Sequence, residues 1–357
     1  MKYDMVIVGA GLTGATIAAL CPDKKILILE KDEVGGACRT ENFGGIDVHK
    51  HGPHIFHTSN EHVWRFVNKY AEFNGYVHRV KANVDGQIYP MPINLETYNR
   101  LYSIDTPSRA KELITESDAD NFEDYLVEKI GPDLYDKFYK GYTEKFWGVP
   151  ANSIPAFIAK RVPIRTSYND LYFNDKYQGV PVDGYTNMIN RMIDHCDIQQ
   201  VDFNSDRDYY ESLADVVIYT GSIDEYYDYE LGVLLYRSCE YYMSIVPESD
   251  YQGIGQMNYP DDDVLYSRVI EHKHFNWVDT ESSIITYEHP RQWKKGSHLK
   301  RFYPMPFIES TSLYDDYEAL DGKAIFAGRL GTYSYINMDE AVRRAMILFE
   351  TTIKEML

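Results

Sequence analysis

The alternation of apolar and polar positions divides the chain into recognisable segments. Tyr3 to Val8 is a β-rich apolar run, and Gly9-Ala10-Gly11-Leu12-Thr13-Gly14 separates it from a helical pattern that continues to Leu20. A second strand is predicted over Lys25–Leu29, ending in Glu30. Asn60 to Tyr70 reads as helix, and Tyr76 to Pro90 as a hairpin turning at Asp85-Gly86. From Asn94 to about Tyr142 the period is helical, with starts at Thr106-Pro107 and Asn121 and breaks at Gly131-Pro132 and Gly141. Helix and strand return over residues 182–221, ending in Val216-Val217-Ile218-Tyr219-Thr220-Gly221. Residues 230–310, rich in Tyr, Val, Ile and turn residues, predict an antiparallel sheet. A late strand, Lys323–Ala327, leads into Gly328-Arg329-Leu330-Gly331 and a helical pattern from Asp339 to Met356. No internal repeat or low-complexity linker interrupts this order, so the domains are expected to interleave.

The first strand, glycine turn and helix form a dinucleotide-binding pattern. Gly9 permits a tight turn, Gly11 lets the backbone approach a pyrophosphate, and Gly14 allows close packing of helix on strand. A lone match would be weak, but Glu30 stands about twenty residues past the first glycine, where a carboxylate accepts from a ribose hydroxyl. The nucleotide is NAD or FAD. Gly35-Gly36 favours FAD, as does the late strand leading to Gly328 by its resemblance to flavoproteins whose C-terminal segment returns to the nucleotide domain; Arg329 could then place positive charge beside a reduced flavin.

Composition narrows the setting. Of 357 residues 44% are hydrophobic and 25% charged, as in a folded globular protein, and the formal charge of -19 disfavours nucleic acid and anionic membranes as partners. An anionic ligand would need a local cluster of arginines. Cys21, Cys38, Cys196 and Cys239 form no CxxC pair, which suggests neither thiolate zinc nor a disulfide framework and fits the cytoplasm. The N-terminal apolar run lacks a basic leader, and no stretch reaches the length of a membrane span. The 32 tyrosines suit sugars and nucleobases as well as half-exposed sheet faces. One stretch, His49-Lys50-His51-Gly52-Pro53-His54-Ile55-Phe56-His57, raises the question of a metal, but Gly52-Pro53 turns the chain and no cysteine or carboxylate completes a site.

Longer motifs carry a family likeness. "GPHIFHT" at 52–58, "GYTEKFWG" at 141–148, "PAFIAKRVPIR" at 155–165, "YQGVPVDGYT" at 177–186, "IYTGSID" at 218–224, "RVIEHKHF" at 268–275 and "AGRLGTYSY" at 328–335 occur in one order along the chain. With them the sequence resembles the bacterial UDP-galactopyranose mutases, essentially end to end. The resemblance implies an α/β architecture: an FAD-binding Rossmann-like domain (1–75, 183–229 and 318–357), an inserted helical domain (94–164, with a mobile loop at about 145–165) and an antiparallel β-sheet domain (76–93, 165–182 and 230–317). It implies a cytoplasmic homodimer that interconverts UDP-galactopyranose and UDP-galactofuranose, in which N5 of reduced FAD attacks the anomeric carbon and displaces UDP, with NADPH or NADH as possible reductant.

Carried over position by position, the resemblance gives Arg161 and Arg268 as the clamp on the diphosphate, and Trp147, Tyr142 and Phe138, with Thr143, as the nucleobase side. Tyr172, Tyr303 and Tyr335 are expected to reach the diphosphate, with Arg237 and Asn258 as further pocket positions. His54 and His57 are expected beside the cofactor or sugar, His49 and His51 as structural. Gly9, Gly11, Gly14, Glu30, Gly35, Gly36, Gly221, Gly328, Arg329 and Met338 are expected around the cofactor. Arg329 and His57 join the two clamp arginines as candidate catalytic residues.

Three positions depart from the family pattern. His78 stands where asparagine is common in the sugar pocket, Asn337 where aspartate is common, and Ala37-Cys38-Arg39 where asparagine often follows the glycine pair. They admit an alternative: a sibling mutase acting on another nucleotide-linked hexopyranose, N-acetylated or deoxy. A flavin oxidase is a more distant alternative, since it would need neither "GYTEKFWG" nor the paired arginines.

Overall fold

In the computed structural model, which describes residues 2–305 and 308–357, two separate sheets organise the chain. The first is five-stranded and wholly parallel, in the order Ala324–Phe326, Val216–Tyr219, Met5–Val8, Ile26–Glu30, Asp197–Gln200. Met5, Val6 and Ile7 are all fully buried, as a central parallel strand covered on both faces requires. Helices Leu12–Ala19 and Met338–Leu348 pack together on this sheet, so the C-terminal segment closes over the nucleotide turn.

The second sheet has seven strands, ordered Tyr303–Pro304, Tyr236–Val246, Ser283–Gln292, Arg268–Glu271, Gln256–Asn258, Val80–Val84, Gln87–Met91. It is mixed rather than purely antiparallel: Gln256–Asn258 runs parallel to Val80–Val84. The hairpin turns at Asp85-Gly86, both with positive φ (51° and 76°), the conformation a two-residue connection demands. Tyr177–Gly179, within the 165–182 segment, pairs with Phe56–Thr58 and not with this sheet.

A helical layer packs against the second sheet. Asn94 caps helix Leu95–Tyr102 in a capping box with Thr97, Thr106 and Pro107 start Pro107–Lys111, and Asn121 caps Phe122–Ile130. The break expected at Gly141 is absent: the chain runs through a wide helical turn, Asp136–Lys140, into Gly141–Trp147. Gly141 is there because a Cβ would lie 2.2 Å from the Pro260 carbonyl oxygen. Glycine serves close approach at this point, not termination. Aromatic residues from this layer (Phe138, Tyr139, Phe146, Trp147) and residues of the second sheet (Val80, Tyr89, Cys239) share one core.

Candidate active site

At the nucleotide end, the turn after Met5–Val8 is built for close contact. Gly9 has φ +103°, and a Cβ on it would come 2.1 Å from Thr220 Oγ1; a Cβ on Gly36 would come 2.9 Å from Gly11 Cα. Helix Leu12–Ala19 begins at Gly11 with no side-chain cap, which leaves its first N–H groups facing outward. Glu30 accepts from the Ala10 and Asp32 amides at 2.8 and 2.9 Å, so its carboxylate is fixed beside the turn. Gly328 sits on the same helix start, where a Cβ would meet Thr13 Oγ1 at 2.9 Å. This backbone cradle, bare of side chains, fits a dinucleotide pyrophosphate. Gly35 lies next to it with its N–H on the Ala10 carbonyl, whereas Gly221 packs against the Tyr219 ring.

A cavity of about 680 Å³ opens where the helical layer and the second sheet meet the segment around Phe56–Thr58 and the one that follows Ala324–Phe326. It collects His54, His57, His78, Phe138, Tyr142, Thr143, Trp147, Arg161 and Tyr172 from the first half of the chain. Asn258, Arg268, Tyr303, Arg329, Tyr335, Asn337 and Met338 complete the wall from the second half. Arg237 is not part of it. Its Nε and Nη2 donate to the Phe146 and Lys145 carbonyls at 2.6 and 3.1 Å, and Nη1 to Gln292 at 3.3 Å, so it caps the C-terminus of helix Gly141–Trp147. The sequence left out Gln256, Phe173 and Asp175, which also line the cavity, and Glu288, which holds Arg268.

Arg268 leaves the start of a strand and donates Nε to Glu288 Oε1 at 2.8 Å; the Glu288 side chain is 0% exposed. Burial works against the charge, yet Glu288 and the neighbouring tyrosines hold the Arg268 guanidinium well above the ordinary arginine pKa. Arg161 is exposed and follows the short helix Ala156–Ala159. It donates to the Tyr335 carbonyl at 3.3 Å and to Asn337 Oδ1, with its guanidinium 4.3 Å from the Tyr335 ring centroid. Asn337 is the N-cap of helix Met338–Leu348 but spends its side chain on Arg161 rather than on the helix. Arg329 donates to the Phe302 and Ile336 carbonyls at 3.2 and 2.9 Å.

Aromatic rings fill the space between. Trp147 is 3% exposed and meets Phe146 and Tyr335 edge-on, at 5.3 and 5.4 Å between centroids. The segment 145–165 is tied down at several points: Lys145 Nζ donates to three carbonyls of 259–266, and the Phe122 amide reaches the Ile154 carbonyl at 2.7 Å. His78 is 2% exposed, and burial followed by the Arg268 charge pushes its pKa down to about 3. His54, buried beside His49, is likewise held down to about 3. His49 is buried against Phe275, and its Nδ1 accepts from the His54 amide. Among the described residues, the one group of three metal-type ligands is Asp250, Glu271 and His274, outside the histidine stretch, and the Glu271 oxygens already accept the Tyr251 and Gln252 amides. No helix among the described residues is long and apolar enough to cross a membrane.

A dinucleotide cradle on a parallel sheet, opening onto a cavity of arginines and aromatic rings, defines a Rossmann-like nucleotide-binding protein. Family models agree: one described as UDP-galactopyranose mutase matches residues 137–335, and one for an NAD(P)-binding Rossmann-like domain matches residues 7–70. The chain belongs to the UDP-galactopyranose mutase family, a family of isomerases. It is 38% identical over 372 residues to the dTDP-fucopyranose mutase of Escherichia coli, covering 98% of both chains. It is also 38% identical over 363 residues to a probable UDP-galactopyranose mutase of Klebsiella pneumoniae, covering 96% of this chain and 93% of that one. A crystal structure of reduced UDP-galactopyranose mutase matches in fold with a TM-score of 0.73 at 15% identity over 99% of this chain and 94% of that one. Putrescine oxidase shares the fold at a TM-score of 0.60 and 13% identity, covering 99% of both chains.

Proposed function

We propose that this chain interconverts the pyranose and furanose forms of a nucleoside-diphosphate hexose, with UDP-galactopyranose and UDP-galactofuranose as the first substrate pair. The observation that carries the reading is the meeting, in one cavity, of Arg161, Arg268, Trp147 and four tyrosines (Tyr142, Tyr172, Tyr303, Tyr335) with the cofactor-side residues His54, Arg329 and Met338. FAD bound at the glycine cradle and reduced, with NADPH or NADH as donor, would supply a nucleophilic nitrogen at the anomeric carbon. Arg268 and Arg161 neutralise the diphosphate and stabilise the charge that builds on it as the glycosidic bond opens. The tyrosine hydroxyls orient it, Trp147 and Phe138 line the nucleobase side, and the aromatic walls exclude the water that would hydrolyse an activated sugar. Arg237 acts at one remove, by holding the helix end that carries Trp147.

A 6-deoxy hexose on dTDP is a second reading. It is supported by the equal identity to the E. coli relative of that name and by His78, a larger side chain than the asparagine common at this position. The test is to incubate dithionite-reduced protein with UDP-galactofuranose and dTDP-fucofuranose and to resolve the ring forms by chromatography. Conversion of UDP-galactofuranose alone supports the first reading, and conversion of the dTDP sugar alone replaces it with the second. Failure of both with bound FAD confirmed overturns the proposed activity.

A further inference from the structure

We propose that His57 is an acid–base catalyst of the sugar rearrangement and that Asp175 is the positioning residue that sets its tautomer. The inference rests on the ring-interconverting reading of this cavity and adds to it a proton carrier and its partner.

The local fold brings the two together. Phe56–Thr58 pairs antiparallel with Tyr177–Gly179, placing His57 opposite Gln178 and Asp175 just beyond the pairing. His57 Nδ1 lies 2.7 Å from Asp175 Oδ2, and the other carboxylate oxygen accepts from Ser59 Oγ at 2.9 Å. An ionised carboxylate only accepts, so the contact assigns the proton to Nδ1 and leaves the lone pair on Nε2. The ring plane is fixed by Phe173, stacked at 3.6 Å and 10°. Phe173 also stacks on His78, at 5.5 Å and 26°, so both histidines stand on one wall of the cavity. Nε2 of His57 has no hydrogen-bond partner among the described residues.

The chemistry needs such a group. Converting a hexopyranose to a furanose breaks the bond from C1 to O5 and makes one from C1 to O4. The O4 hydroxyl must lose a proton and O5 must gain one, with no net change in charge or electrons. O4 and O5 sit on adjacent carbons, so one imidazole nitrogen can serve both: Nε2 takes the O4 proton, Asp175 stabilises the imidazolium, and the same proton goes to O5. The reverse reaction uses the same groups in the opposite order. An identical requirement holds for a 6-deoxy sugar, so the role does not depend on which hexose is bound.

The test compares wild type with Asp175→Asn and His57→Gln as reduced holoenzymes. We expect kcat to fall about 10²–10³-fold in both, the range for loss of general acid–base catalysis, with KM and UDP affinity within about threefold. His57→Ala should regain turnover with added imidazoles, more strongly with the more basic ones. A proton spectrum of the protein without substrate gives an independent reading: a downfield Nδ1–H resonance present in wild type and lost in both Asp175→Asn and His57→Gln. The proposal is overturned by kcat within threefold of wild type in either variant, or by loss confined to KM. It is equally overturned if the wild type lacks the resonance or Asp175→Asn retains it. If wild type converts no nucleotide sugar, the broader reading falls instead, which the wild-type assay alone reveals.

Discussion

Two arginines of the cavity, Arg268 and Arg161, are held in opposite ways. Arg268 rises from a sheet strand, binds a fully buried carboxylate through Nε, and keeps its Nη atoms free of protein partners among the described residues. Arg161 stands at the exposed end of a short helix and its partners are neutral: a carbonyl, an amide oxygen and a tyrosine ring. A buried charge must have its partner before any ligand arrives, because leaving it alone is severely unfavourable. An exposed charge with neutral partners can exchange them for a diphosphate at little loss. One wall is therefore preformed and the other adjustable, and the substitutions that follow should separate them.

The largest effect is expected at the preformed wall. Arg268→Leu leaves Glu288 buried without a counter-charge and should destabilise the fold by about 3–5 kcal/mol in urea unfolding, together with a loss of roughly 10³-fold in kcat/KM. Adding Glu288→Leu should restore much of the stability and none of the activity. Equal stability of Arg268→Leu and wild type would show that the pair is not committed in advance. Mild acid should weaken the fold next. His49, His51, His54, His78 and His272 are all held below their ordinary values by burial, to about 4 for His51 and about 3 for His54, His78 and His272. A depressed histidine contributes stability that is present above the unfolded value near 6.5 and is lost as pH falls toward the folded one. Each adds up to about 1.4 kcal/mol per pH unit in that window. His274, raised by Glu271, works in the opposite sense and offsets only one of the five. The unfolding free energy should drop by several kcal/mol between about pH 7 and 5; a flat profile would mean these histidines are solvated.

Local physics explains which parts of this arrangement could be read from the chain. Gly9, the Asp85-Gly86 turn and the Asn94 and Asn121 caps each depend on backbone geometry within a few residues, and their signals are correspondingly direct. Gly141 misled because glycine ends a helix and lets backbones touch with the same letter; only the Pro260 carbonyl, 119 residues away, distinguishes the two. Arg237 has the residue type of a phosphate ligand, and its burial against the Phe146 carbonyl is a tertiary fact with no local mark. Glu288 and Asp175 escaped notice for the same reason: a carboxylate is common in so acidic a chain, and their partners lie 20 and 118 residues away. The family motifs identified the residues that line the cavity better than the residues that hold them.

The adjustable wall offers the smaller and finer tests. Arg161→Ala should lower kcat/KM by about 10²-fold, chiefly in the step that releases the diphosphate, while leaving the melting temperature unchanged, since its partners are neutral and exposed. Asn337→Asp probes the departure from the family pattern directly. In this chain Asn337 Oδ1 accepts from Arg161. A carboxylate there would turn a neutral contact into an ion pair, and an exposed pair of this kind is worth about 0.2–1 kcal/mol. That energy must be given up when Arg161 turns to the substrate, so KM for the nucleotide sugar should rise by at most about fivefold, and the rise should shrink at high salt. The same substitution made in Arg161→Ala should have no such effect on KM. A rise that persists without Arg161 would place the influence of Asn337 on the cofactor or the sugar, and the adjustable wall would then begin at the start of helix Met338–Leu348 rather than at the arginine.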